Sequence, residues 1–254
     1  MSRILMQNVN VFYPVMQDHY MSIRRAALRQ LTGGKLYRED AETKVVHAIK
    51  DFSIDLRDGD RIGLIGRNGA GKSTLLKTIS SFILPDNGEI EIDGTITSLF
   101  SVNGGLDVER TGYDNIYVMG RLLGLSRKQM DSHMADIEEF SELGKFLNMP
   151  VRSYSDGMRV RLGVSVVTCI NPDILLLDEA LGTGDAHFIE KTTQRAQRLY
   201  DRANIVILAS HAHEILQRLC NKAIWLDKGR IVQFGPLEEV LKAYTAETVY
   251  KKSA

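Results

Sequence analysis

The spacing of hydrophobic residues changes several times along the chain, and each change marks an element. Ile4, Met6, Val9 and Val11 stand among polar neighbours and predict a first strand that ends at Phe12 and Tyr13, before Pro14. Between Pro14 and Thr43 the period becomes helical: Tyr20, Ile23, Ala27 and Leu31 recur on one side, with Arg24, Arg25 and Arg29 mostly elsewhere, and Gly33-Gly34 ends the stretch. Alternation returns over 45–56, and Asp58-Gly59 reads as a turn. An apolar strand at 61–65 runs into a glycine-rich loop and then a helix through Thr74, Leu75, Leu76 and Ile79. Pro85-Asp86-Asn87-Gly88 predicts a turn, followed by a short strand at 89–92. From about 111 to 168 the chain reads as helix, with Thr111 and Asp114, then Ser126 and Gln129, paired as N-terminal caps. Buried strands are predicted at 174–177 and 205–209, a hairpin at 223–234 around Asp227-Lys228-Gly229, and a closing helix over 236–248 with Pro236 in its first turn.

Apolar strands alternating with helices predict an α/β fold with a mostly parallel sheet covered on both faces. The expected organisation is one domain over 1–254. It carries a basic insertion at 14–43, an inserted helical subdomain at about 100–170, and a C-terminal hairpin and helix at 221–254. The length of 254 residues agrees with one large domain. Charge adds an exclusion: 32 basic residues balance 32 acidic ones, which argues against a nucleic-acid partner. Cys169 and Cys220 lack metal-ligand spacing and read as buried thiols in a reducing setting. The N-terminal stretch lacks the pattern of a signal peptide, and no apolar run approaches the roughly 20 residues of a membrane span, so work at a membrane would need a separate anchor.

Gly66-Arg67-Asn68-Gly69-Ala70-Gly71-Lys72-Ser73 has the pattern of a phosphate-binding loop, and it stands between an apolar strand and a helix, as that loop requires. Its glycines let successive amides point at one anion, and the helix N-terminus at Ser73-Thr74 adds its dipole. Lys72 would reach the β- and γ-phosphates of a nucleotide, and Ser73 would bind Mg²⁺. Four apolar residues at 174–177 deliver Asp178 and Glu179 to the carboxyl end of a strand, where ligands of open α/β sheets bind. Asp178 suits Mg²⁺, and Glu179 suits a general base that polarises water. These two motifs indicate a P-loop NTPase and leave GTPases, kinases and ATPases open.

A third element narrows the choice. Tyr154-Ser155-Asp156-Gly157-Met158-Arg159 opens a helix about 20 residues before Asp178 and resembles the signature of the ABC ATPases, Leu-Ser-Gly-Gly-Gln. Ser155 can cap that helix, and the Gly157 amide can meet a phosphate. The resemblance extends over nearly the whole chain. It implies that Ser155, Asp156, Gly157 and Met158 face the γ-phosphate held by an opposite subunit, that Asp185 is the acid of the loop after Glu179, that His211 contacts the γ-phosphate, and that Tyr13 stacks on adenine, with Phe12 as the competing choice. The implied partners are a second copy, which sandwiches two ATP molecules, and two integral membrane permease subunits.

Within this family the chain is most similar to the ATP-binding subunits of bacterial polysaccharide exporters. Residues 154–162, 178–188 and 140–146 carry that likeness, and the insertion at 14–43 resembles one in O-antigen exporters. The resemblance implies a peripheral ATPase on the cytoplasmic face of the inner membrane that drives export of a lipid-linked polysaccharide without touching its chemistry. The alternatives are an ABC exporter of another substrate, or a non-transport ABC ATPase. Three departures stand out. Asp156 replaces a Ser or Gly, and either faces the γ-phosphate or turns outward to pair with Arg159. The loop at 98–107 has no glutamine to touch Mg²⁺ and the permease, Ser101 or Asn103 being the nearest aligned positions. The closing helix near residue 248 is expected to leave no room for the carbohydrate-binding domain that some O-antigen subunits carry.

Overall fold

The computed structural model describes residues 1–14, 45–98, 106–178 and 186–253. The basic segment expected between Pro14 and Thr43, Ser101, Asn103, Glu179 and Asp185 lie outside the described residues. The strands are β1 (Arg3–Pro14), β2 (Val45–Arg57), β3 (Arg61–Ile65), β4 (Asn87–Asp93), β5 (Ile96–Ser98), β6 (Ile174–Asp178), β7 (Ile205–Ala209), β8 (Lys222–Asp227) and β9 (Arg230–Pro236). The helices are α1 (Lys72–Ile79), α2 (Gly112–Leu122), α3 (Arg127–Ser141), α4 (Asp156–Val167), α5 (Ala186–Arg202), α6 (His213–Leu219) and α7 (Leu237–Ser253). Pro236 closes β9 rather than opening the last helix.

The strands form two sheets. Six make a sheet in the order β5-β6-β7-β3-β8-β9, parallel except for β9. The other three make an antiparallel sheet, β2-β1-β4. This second sheet refines the expectation of one sheet: it is what covers one face of the parallel layer. The two faces of the central strands therefore serve different cores. Ile174, Leu176, Ile205, Ile207, Ile62 and Leu64 pack with β1, β2 and α1. Leu175, Leu177, Val206 and Leu208 pack with the helices on the other side. That double burial is why these strands read as unbroken apolar runs, while β1 and β2, with one wet face, alternate. The alternation slips where Met6 is followed by Val9 and Ile49 by Phe52. Asn8 and Asp51 absorb the extra residue with φ of 50° and 48°, and bulges keep all four apolar side chains inside.

The helical block begins with two reciprocal caps, Thr111 with Asp114 and Ser126 with Gln129. Its attachment to α5 adds polar and aromatic contacts to apolar packing, in which Val164 and Val160 meet Phe188. The Arg195 guanidinium lies 4.3 Å over Phe140, Phe140 meets Phe188 at 5.5 Å, and Arg161 lies 4.8 Å over Phe188. Asp136 pairs with Arg195, and Glu142 accepts from both Lys191 and Arg161, which hold its carboxyl below the usual range.

The two cysteines are free and partly buried, and burial pushes the Cys169 thiol up to about 11 and the Cys220 thiol up to about 12. Neither forms much thiolate at neutral pH, so alkylation of the native chain should be far slower than alkylation of the urea-unfolded chain, as mass spectrometry would show. Leu176 is fully buried between the two sheets. Leu176→Ala should cost about 2–5 kcal/mol in urea unfolding, through lost transfer energy and the cavity left behind.

Candidate nucleotide site

The loop after β3 begins with a close backbone approach. Gly66 has φ 148°, and a Cβ there would lie 2.3 Å from the Leu226 carbonyl oxygen of β8. Only glycine lets the chain leave the sheet at that point. The loop then folds on itself: the Ala70 amide donates to Arg67 O at 3.0 Å, and Gly71, with φ 108°, caps α1. No side chain caps this helix, so its first amides remain available for an anion. Lys72 is tethered back over the loop. Its Nζ donates to Gly66 O at 2.7 Å and to Arg67 O at 3.3 Å, and lies 3.4 Å from His211 Nε2. Ser73 Oγ donates to Asp178 Oδ2 at 3.4 Å, across from β6.

These groups surround a cavity of about 740 Å³. Of the residues singled out from the sequence, Tyr13, Asn68, Gly69, Ala70, Gly71, Lys72, Ser73, Thr74, Asp178 and His211 line it. Gly66 and Arg67 contribute through the carbonyls that hold Lys72. Tyr13 takes the position on the cavity, half-buried at the edge of the inner core. Phe12 instead stacks on His47 at 4.1 Å. Ala209 at the end of β7 also lines it, and Val46, His47, Ala48 and Lys50 of β2, together with Lys228 of the β8–β9 turn, complete the wall. The motifs did not point to these last five, because strands distant in sequence bring them there.

The signature lies elsewhere. Ser155 caps α4, its Oγ accepting from the Met158 amide at 3.2 Å, and none of Ser155, Asp156, Gly157 or Met158 lines the cavity. The Asp156 side chain is 99% exposed and pairs with Arg159 at 3.3 Å.

A phosphate loop, an acid at the end of a neighbouring strand and a histidine at the end of another thus share one cavity, with a capped Ser-X-Gly turn apart from it. The family model for the ABC transporter matches residues 49–182, from within β2 to just past β6. The chain belongs to the ABC transporter family. It is 41% identical over 233 residues to an O-antigen export system ATP-binding protein of Yersinia enterocolitica, which covers 92% of this chain and 98% of that one. It is 40% identical over 214 residues to a teichoic acids export ATP-binding protein of Staphylococcus epidermidis, which covers 84% of this chain and 81% of that relative. Among solved structures, a dimeric ATP-binding cassette bound to ADP and Pi shares the fold, with a TM-score of 0.63 and 19% identity over 92% of this chain and 98% of that one.

An exposed ion pair such as Asp156–Arg159 contributes little in water. Asp156→Ser should therefore change ATP turnover by less than about twofold, the scale of a surface pair. A several-fold activation in a steady-state assay would place that carboxylate near the facing nucleotide instead.

Proposed function

We propose that this chain is the ATP-hydrolysing subunit of a bacterial exporter of lipid-linked polysaccharide. The observation that carries the hydrolytic part is the meeting of Lys72, Ser73, Asp178 and His211 in one cavity. The substrate class rests on the relatives named for O-antigen and teichoic acid export. No helix among the described residues is long and apolar enough to cross a membrane, so on this reading the transport path belongs to two separate permease subunits.

The donor set suits a hard cation. Ser73 and Asp178 offer a hydroxyl and a carboxylate oxygen 3.4 Å apart, and no group of three or more His, Cys, Asp or Glu among the described residues forms a closed metal cage. Mg²⁺ keeps its waters and shares itself with substrate phosphates, so two protein oxygens meet its need. Bound there, it would neutralise charge that develops on the β- and γ-phosphates. The protein's own groups do the rest. Lys72 exchanges its loop carbonyls for phosphate oxygens, and the free amides of α1 cradle them. Glu179, next after Asp178, orients and polarises the attacking water, and His211 contacts the γ-phosphate. The Ser155–Met158 turn of a second copy completes each site, so that hydrolysis waits for closure of a homodimer. Tyr13 stacks on adenine.

Glu179→Gln keeps the shape of the side chain and loses the base. It should bind ATP with near-normal affinity, slow turnover by about 10²–10⁴-fold and accumulate an ATP-locked dimer on gel filtration. Lys72→Ala removes a charge-assisted contact and should weaken ATP binding by roughly tenfold or more in calorimetry. Wild-type turnover in the first variant or wild-type affinity in the second would reject the assigned roles.

A further inference from the structure

The turn between β8 and β9 takes part in the nucleotide cavity. Lys228 and Gly229 have φ of 47° and 82°, both left-handed, as a two-residue hairpin turn requires. The turn is clamped on two sides. The Gly229 amide donates to Ala70 O in the phosphate loop at 2.9 Å, and Gly229 O accepts from the Lys50 amide of β2 at 2.8 Å. A Cβ on Gly229 would lie 2.5 Å from Ala48 O, so the turn fills the space between loop and strand. That clamp fixes the backbone of Lys228 at the cavity wall, where the Lys50 side chain also lies.

Neither lysine side chain has a hydrogen-bond or ion-pair partner among the described residues, and Asp178 is the one acidic residue on the described wall. The third lysine of the cavity, Lys72, is held on loop carbonyls and meets His211. Lys228 belongs to the other side. Its turn is bonded to Ala70 and packed on Ala48, on the strand that also brings Val46 and His47 to the wall near Tyr13.

We propose that Lys228, assisted by Lys50, is a nucleotide contact that serves the phosphate nearest the nucleoside. This rests on the reading of the cavity as an ATP site and adds a role that the phosphate-loop motif does not contain. Cations placed there recognise what ATP and ADP have in common, while Lys72 and His211 recognise the end that hydrolysis removes. Lys228 thus adds affinity for nucleotide without adding preference for the triphosphate.

Calorimetric titrations with Mg-ATP and Mg-ADP on the full chain test this. Lys228→Gln should weaken both nucleotides by the same factor, roughly two- to fivefold as expected of a solvated charge pair, and Lys228→Gln with Lys50→Gln should weaken them further. Lys228→Arg should restore most of the affinity. The loss should shrink as salt is raised, and should appear in KM for ATP rather than in kcat. The melting temperatures should coincide, which separates a lost contact from a loosened loop. Unchanged affinity in the double variant, a loss confined to ATP, or no recovery with arginine would overturn the proposal. If the wild-type chain binds neither nucleotide, the ATP reading fails first and this proposal with it. Wild-type binding with indifferent lysine variants sinks the proposal alone.

Discussion

The site depends on three parallel strands ending level. β3 pairs with β7 so that Leu64 stands opposite Ala209, and β7 pairs with β6 so that Ala209 stands opposite Asp178. The phosphate loop leaves β3 just past Leu64, Asp178 is the last residue of β6, and His211 follows β7 by two residues. The register therefore sets Lys72 beside His211 and Ser73 beside Asp178, each at 3.4 Å. A slip by one residue would reverse every side chain on the moved strand. Both faces of these strands are buried, with Ile174, Leu175, Leu176, Ile205, Val206 and Ile207 fully inside, so the register is held by the fit of each side chain to its own core and by the polar Asp178 at the strand end rather than by alternation. The packing of two cores thus holds the geometry of a polar site that contributes little to stability itself.

Besides the apolar core that it shares with the parallel sheet, the helical block is joined to α5 by polar and aromatic contacts. Arg195, Phe140, Phe188 and Arg161 form a stacked series that joins α3 and α4 to α5, with carboxylates at its ends. Helix α4 carries the signature turn at its start, and α5 follows Asp178 by eight residues. Cation–π and charge-assisted contacts keep a defined geometry while tolerating water, unlike a dry apolar seam. This series adds to the apolar core that Leu162, Val166 and Val167 of α4 share with Leu199 and Ala203 of α5 and with Leu175 and Leu177 of β6.

Much of the site was legible in the sequence because local rules govern it. The phosphate loop needs glycine at Gly66, the strand before Asp178 needs apolar residues on both faces, and Ser155 needs only its own helix to be a cap. The hairpin at Lys228-Gly229 was equally local. What escaped was non-local or short. The antiparallel sheet shows in sequence only as alternation, which does not reveal what the strand packs on. The bulges at Asn8 and Asp51 lie where polar residues adopt positive φ without a glycine to announce them. β5 has three residues, too few for any period to register. Lys50, His47 and Lys228 joined the cavity wall through pairings between distant strands, and no spacing along the chain encodes that.

On the proposed reading, Ser73 and Asp178, brought together by the strand register, hold a divalent ion only when nucleotide supplies the remaining ligands. Electron paramagnetic resonance of Mn²⁺, titrated into the full chain with and without ATP, measures this directly. Mn²⁺ should bind weakly to the chain alone, about one ion per chain should be held tightly with ATP present, and Asp178→Asn should lose it. Tight Mn²⁺ binding without nucleotide, or an ion retained undiminished in Asp178→Asn, would contradict that reading.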